Sequence, residues 1–352
     1  MDRALRVCLY QGSGRLAKGS GVGSAMRHQA AMLRHGGARL VPPWAAPQVL
    51  QLNTVFPDSV LAGMVARLLG MRVVTYAHST RQDFEESWVG SAALAPLLER
   101  WLALAYRVGH VVVTPTPYSR GIIEGYGLNA PIHVLTNGVD TTFFDGDPTA
   151  RARFRARHGL GEGDRAVLSV GHLMVRKGIV EFIEVARSMP ETRFFWAGSM
   201  PKAAMPPQVR LALEQAPPNL TLLGQLPPEG VRDAYAGADL FCFLSREETQ
   251  GIVVLEALAS GVPVLVRSIG AYEGWLTEGV VHTAPGSAST LDIARSARAI
   301  LDGDAPDLVP AGRELARLHD VRAVSAELLD ILGGAMAGVS RAGAPNDRWG
   351  KR

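Results

Sequence analysis

Short runs of β-branched and apolar residues alternate with amphipathic stretches along most of this chain, and few folds accommodate that alternation. In the first half, strands are expected at residues 6–10, 49–53, 72–77, 110–114 and 132–135. Helices are expected at 20–35, 59–69, 92–106 and 118–126. The second half repeats the pattern, with strands at 166–170, 193–197, 220–223, 240–244 and 262–266. Its helices fall at 179–188, 207–215, 229–237, 252–260 and 288–301. Strands and helices in alternation predict parallel sheets covered on both faces. Two series of about five strands predict an α/β chain of two Rossmann-like, doubly wound domains. The cleft between them should lie at the C-terminal edges of the strands, where open α/β sheets bind ligands. The Asn137-Gly138 turn signal and the charged stretch after it place the boundary. An N-terminal domain of 1–146 and a C-terminal domain of 147–338 follow, with the last helices, near 307–334, crossing back onto the first. The small, polar and basic tail at 339–352 is expected to be disordered.

The chain of 352 residues is long enough for two full cores. A net charge of +3 gives no argument for a nucleic-acid partner. Residues 1–145 hold 13 Lys and Arg against 9 Asp and Glu, and the remainder 23 against 24. A mildly basic first half suits an anionic membrane surface or an acidic ligand, though an ordinary solvated surface is the plainer reading. The two cysteines, Cys8 and Cys242, both fall in expected strands, which fits a reducing compartment and no metal site. The start lacks an apolar region of signal-peptide length, and no apolar stretch reaches the roughly 18 residues of a membrane span. These features together predict a cytoplasmic protein that is free to rest on a membrane.

The segment SREETQGIVVLEALASG, 245–261, carries the clearest chemical signal. It follows an apolar strand and runs through a turn containing Gly251 into a helix beginning near Ile252. Free backbone N–H groups at such a helix start form a phosphate seat. Glu248 falls in the turn and Glu256 one to two helical turns in, so two carboxylates can accept from hydroxyls of one ligand. A buried helical carboxylate such as Glu256 is costly unless paired. Lys177 follows a strand and precedes Gly178 and a helix, a poor place for a cation facing water, because it opposes the helix dipole. Gly19, Gly21 and Gly23 lie between the first strand and the body of the first helix, where glycines let backbone approach a ligand. The His and Cys residues show no metal-ligand spacing, and neither a metal nor another cofactor is expected.

The segments SVGHLMVRKG (169–178), Asn-Gly-Val-Asp (137–140) and ADLFCFLSREETQGIVVLEALASGVPVL (238–265) resemble the retaining family-4 glycosyltransferases, which have the GT-B fold. EETQGIVVLEALAS and HSTRQDFEES (78–87) resemble, more narrowly, the bacterial diacylglycerol glucosyltransferases. The resemblance implies that Glu256 binds the ribose of a nucleotide-sugar and that Glu248 meets the donor sugar's hydroxyls. The resemblance also implies attack from the front face, with no glycosyl-enzyme. A fixed Lys177 would stabilise charge building on the leaving phosphate, and Gly171, Gly251 and Ile252 would line the donor. The family usually has an arginine right after the strand glycine; here that position is His172, while Arg176 stands beside Lys177. Arg176 is taken as the second cation, with His172 as the alternative. In the family, the loop matching Gly21 and Gly23 approaches the diphosphate and acceptor, and a histidine matching His78 stands beside the sugar. One of Asp83, Glu85 and Glu86 would contact the acceptor hydroxyl; the sequence does not choose among them. Trp101, Tyr106, Arg100 and Arg107 on the 92–109 helix suit a membrane interface, although packing on the sheet is the plainer reading.

The resulting expectation is a peripheral enzyme on the inner face of the cell membrane that moves glucose from UDP-glucose onto diacylglycerol. Its partners are a nucleotide-sugar donor and a lipid acceptor at an anionic surface, with no nucleic acid. The rivals are a family-4 enzyme acting on a polysaccharide or cell-wall intermediate and a non-catalytic nucleotide-sugar-binding protein. A nicotinamide oxidoreductase would need an acidic residue that is absent at the required distance.

Overall fold

The structure is a computed structural model and describes residues 4–13, 21–85, 87, 91–276 and 278–337. The chain divides into two compact units. One takes Ala93–Val139 with the chain up to Phe84 and from Leu318 onward; the other takes Glu85–Ala92 and Asp140–Arg317.

In the first unit the elements are β1 (Arg6–Tyr10), α1 (Gly21–His35), β2 (Arg39–Leu40), β3 (Val49–Leu52), α2 (Pro57–Leu68), β4 (Arg72–Tyr76), α3 (Arg81–Phe84), α4 (Ser91–Tyr106), β5 (Val111–Thr114), α5 (Pro117–Glu124) and β6 (Ile132–Val134). They build a six-stranded sheet in the order β2-β1-β3-β4-β5-β6, parallel throughout. In the second unit, α6 (Thr141–Asp145) and α7 (Ala150–Arg157) lead into β7 (Ala166–Val170). Then follow α8 (Ile179–Ser188), β8 (Arg193–Ala197), α9 (Pro207–Glu214), β9 (Leu220–Gly224), α10 (Pro228–Gly237), β10 (Leu240–Phe243), α11 (Ile252–Ser260), β11 (Val264–Arg267), β12 (His282–Ala284), α12 (Thr290–Asp302) and α13 (Val309–Leu318). This sheet is also parallel and six-stranded, in the order β12-β11-β10-β7-β8-β9.

Each sheet thus has one strand more than the sequence pattern predicts. β2 has two residues and β12 three, too short to register as apolar runs. The charged stretch near 145–151 is not a plain linker either. It leads into α7, whose single large apolar anchor, Phe154, packs edge-on against Phe195 and lies so close to Gly237 that a Cβ there would meet its ring at 2.2 Å. Arg151 and Arg153 tie α7 to Asp239 and Asp233, each at 2.7 Å. A helix held by ion pairs and one aromatic leaves little hydrophobic periodicity to detect. Of the last helices, α13 packs in the second unit, with Gly312 against Leu258. The final helix α14 (Ser325–Ala337) packs in the first, its Leu328, Ile331 and Leu332 joining Val7, Met32 and Val74 in one core. The expected tail lies outside the described residues.

The core of the second unit forms where α8 presents Ile179, Phe182, Ile183 and Ala186 to the sheet. Phe182 meets Phe194 and Trp196 edge-on, with ring centroids at 5.3 and 5.4 Å. Cys8 and Cys242 are free and buried. Among the described residues no helix is long and apolar enough to cross a membrane. Phe182→Ala removes the ring at the centre of this cluster and should cost about 3–5 kcal/mol, read as a lower midpoint in urea unfolding.

Candidate functional site

Because β7 and β10 are adjacent parallel strands, the chain leaving the C-terminal end of one meets the chain leaving the other. The residues after β7 bend into a single 3-10 turn, Val175–Lys177, and Gly178 closes it in the left-handed region at φ 78°. A Cβ on Gly178 would stand 2.5 Å from the Leu244 carbonyl oxygen, so the two loops are pressed backbone to backbone. Arg246 N–H donates to the Arg176 carbonyl at 2.7 Å and Ser245 Oγ to the same oxygen at 3.2 Å. This seam brings Lys177 and Glu248 together. Lys177 Nζ donates to Glu248 Oε1 and lies 5.6 Å from the centre of the Phe243 ring. The pair is nearly enclosed, with 14% of the lysine and 9% of the glutamate side chain exposed. Burial alone would raise the Glu248 carboxyl; Lys177 and then Arg176 outweigh it and hold it below its ordinary value.

The neighbours follow from the same turn. Arg176 Nε donates to Ser87 Oγ and Nη1 to the Glu247 carbonyl, both at 3.0 Å. Glu247, on sequence grounds an exposed loop acid, is half-buried, and its carbonyl also accepts from Ser245 Oγ at 3.1 Å. Gly171 is fixed through its carbonyl, which accepts from Trp196 Nε1 at 2.9 Å. His172 Nδ1 donates to the Ser199 carbonyl at 2.9 Å. Burial lowers the His172 imidazole and the nearby Lys177 and Arg176 add to that, against the raising effect of the Ser199 bond. Of the two candidate second cations, His172 is thus pushed towards its neutral form, which disfavours it in that role.

α11 starts at Gly251, which sits at φ 80°. Its face is almost wholly buried, from Ile252 through Ala259 with Val253 partly exposed. Glu256 is buried, and the Tyr235 hydroxyl stands 3.2 Å from its Oε2 and 3.0 Å from the Val253 carbonyl. The carboxylate therefore has a protein partner that offsets part of the cost of its burial. Tyr235 gave no signal of this in the sequence, where it reads as one more core aromatic of α10.

The remaining candidates belong to the first unit. His78 follows β4 and stacks on Tyr76 at 5.6 Å. Its Nε2 lies 3.0 Å from Asn53 Oδ1 and 3.5 Å from Gln29 Nε2, and Gln51 donates to Gln29 Oε1 at 2.7 Å. The shorter contact makes Nε2 a donor and leaves Nδ1 as an acceptor. Burial lowers the His78 imidazole to about 4, so it is neutral at physiological pH. The amide cluster was missed, although Gln51 and Asn53 interrupt an apolar strand and are its visible trace. Gly21 and Gly23 do not lie in a loop; both fall in the first turn of α1. Gly19 and Glu86 lie outside the described residues. Asp83 bonds locally, its backbone N–H to Thr80 Oγ1 at 3.1 Å, and Glu85 ends the same segment. Trp101 and Tyr106 are not interface anchors, since Trp101 Nε1 donates to the Val55 carbonyl at 2.8 Å and Tyr106 Oη to that of Ser79 at 2.7 Å. Arg100 and Arg107 are exposed.

Residues 150–307 match the family model described as glycosyl transferases group 1, and residues 25–143 that of glycosyltransferase family 4. A processive diacylglycerol alpha-glucosyltransferase from Acholeplasma laidlawii is 33% identical over 274 residues, covering 77% of this chain and 81% of the relative. The chain belongs to the family-4 glycosyltransferases. An alpha-galactosylglucosyldiacylglycerol synthase from Streptococcus pneumoniae is 26% identical over 77% of this chain and 74% of its own length. In fold, this glycosyltransferase is similar to Anabaena HepE, solved in complex with UDP-glucose. The TM-score is 0.72 at 16% identity, covering 94% of this chain and 99% of that one. Its two parallel six-stranded sheets are those of a GT-B enzyme.

Two outcomes follow. Lys177→Met leaves the Glu248 carboxylate buried without its cation and should cost about 3–5 kcal/mol near neutral pH. The deficit, measured by urea unfolding, should shrink as pH falls through the carboxylate range, because protonated Glu248 no longer needs the cation. The lowered His78 pKa means that below about 6.5 the unfolded chain binds a proton the folded chain refuses. Stability should therefore fall as pH drops from about 6.5 towards 4, and His78→Gln should flatten that part of the profile.

Proposed function

We propose that the chain transfers glucose from UDP-glucose onto diacylglycerol, retaining the anomeric configuration, at the surface of an anionic membrane on the cytoplasmic side. The observation that carries the donor reading is the enclosed Lys177–Glu248 pair beside the start of α11. A nucleotide-sugar supplies a partner for each charge: phosphate oxygens for the ammonium and sugar hydroxyls for the carboxylate. Lys177, with Arg176, then faces the charge that builds on the leaving phosphate and stabilises the transition state more than the ground state. Glu256 receives the ribose hydroxyls beside the Tyr235 hydroxyl. Glu248 orients the sugar rather than attacking it, and, as the family resemblance implies, attack comes from the front face with the leaving phosphate taking the acceptor proton. The first unit binds the acceptor, and neutral His78 offers it a hydrogen bond rather than a charge.

The lipid reading draws on what the relatives from Acholeplasma laidlawii and Streptococcus pneumoniae are named for, and on α2. That helix buries Val60, Gly63 and Ala66 and exposes Leu61, Met64, Val65 and Leu68 on the other side. Apolar residues spaced i, i+3, i+4 and i+7 form one face. Leu68 is 88% exposed and Leu69 68%, and exposed Leu97 and Leu104 lie on α4. Exposed Arg67, Arg100 and Arg107 add positive charge. Leucines with arginines beside them suit an anionic bilayer interface.

Purified protein with vesicles of diacylglycerol and anionic lipid should move radiolabel from UDP-glucose into the organic phase, and Lys177→Ala and Glu256→Ala should abolish the transfer. Donor binding without organic-phase label would refute the diacylglycerol assignment and direct the search to polymeric or water-soluble acceptors. Changing Leu61, Met64 and Leu68 together to serine should reduce co-sedimentation with these vesicles at least several-fold, with UDP affinity unchanged.

A further inference from the structure

After β11 the chain makes a 3-10 turn, Gly270–Tyr272, that carries Tyr272 into the second unit's interior. Its hydroxyl is buried and has no hydrogen-bond partner. Its place is defined by Gly251: a Cβ there would stand 2.9 Å from Tyr272 Oη and 3.2 Å from Cε1. The hydroxyl therefore lies against the residue that starts α11, a nine-residue helix that no side chain caps. A helix start offers backbone N–H donors, and a phenol offers one more. Burial, with Glu248 and Glu247 nearby, keeps the phenol protonated, and hence a donor. A buried donor with nothing to give to is costly, and here it stands among other donors. The ligand that accepts from all of them is an anionic oxygen.

We propose that Tyr272 is a donor-binding residue whose hydroxyl donates to the diphosphate of the nucleotide-sugar at the start of α11. This rests on the nucleotide-sugar reading above. The contact strengthens as charge collects on the leaving phosphate, so the hydroxyl acts with Lys177 from the opposite side of the loop sequence, contributed by a segment outside the Glu248–Glu256 motif. Tyr272→Phe keeps the ring on Gly251 and removes only the hydroxyl.

Calorimetric titration of the full-length protein with UDP and, separately, with uridine tests this. Loss of a hydrogen bond to a charged group predicts UDP binding weaker by about tenfold or more in Tyr272→Phe. Uridine, which has no phosphate, should bind both proteins alike, and the melting temperature without nucleotide should be equal or higher in the variant. UDP affinity unchanged in the variant would overturn the inference while leaving the nucleotide-sugar reading intact. Equal weakening for UDP and uridine would also overturn it, by assigning Tyr272 a structural role. A wild-type protein that binds neither would overturn the nucleotide-sugar reading and this inference with it.

Discussion

Lys177 and Glu248 lie where two adjacent parallel strands end, and the electrostatics of that pair set the terms for the residues around it. Two charges taken out of water are tolerated only while each has a partner. On the function proposed above, binding at this place is an exchange of partners, and a ligand offering only a phosphate or only hydroxyls would leave one charge exposed to the low-dielectric interior. A sugar joined to a diphosphate meets both needs within a few ångströms. Arg176, held by Ser87 and by the Glu247 carbonyl, adds positive charge that favours the phosphate half of the exchange.

Backbone geometry makes that pairing possible. Gly178 presses the turn after β7 against the Leu244 carbonyl, and Gly251 turns the chain abruptly into α11. Both sit at positive φ with no room for a Cβ, so side-chain chemistry at Lys177, Glu248 and Glu256 depends on two residues that have none. The same parallel topology requires a crossover helix after each of these strands: α8 leads from β7 to β8 and α11 from β10 to β11, and both helices start at the strand ends that carry Lys177 and Glu248.

The two-sheet architecture was legible because long apolar strands and amphipathic helices leave periodic traces. What escaped were elements held by something other than periodicity: β2 and β12, too short to show it, and α7, held by ion pairs and Phe154. At the site, Glu248, Glu256, Lys177 and Gly251 were visible as charges and glycines at fixed spacing around a strand end. Tyr235 and Tyr272 were not, because a tyrosine that orients a carboxylate or lies on a glycine looks in sequence like any buried aromatic. For Trp101 and Tyr106 the plainer reading, packing rather than a membrane interface, agrees with the structure: their polar tips bond to backbone carbonyls inside the first unit, and the exposed apolar face belongs instead to α2, where leucines and a methionine sit opposite a buried Val-Gly-Ala stripe.

The central claim is that this loop pair binds a nucleotide-sugar by separating Lys177 from Glu248, and a crystal structure of the protein with bound UDP-glucose tests it most directly. The expected result places the ribose hydroxyls on the Glu256 carboxylate, the sugar hydroxyls on Glu248 and the diphosphate at the start of α11, with Lys177 Nζ moved from Glu248 to a phosphate oxygen. UDP-glucose bound elsewhere, or bound here with the Lys177–Glu248 pair intact, would contradict the account.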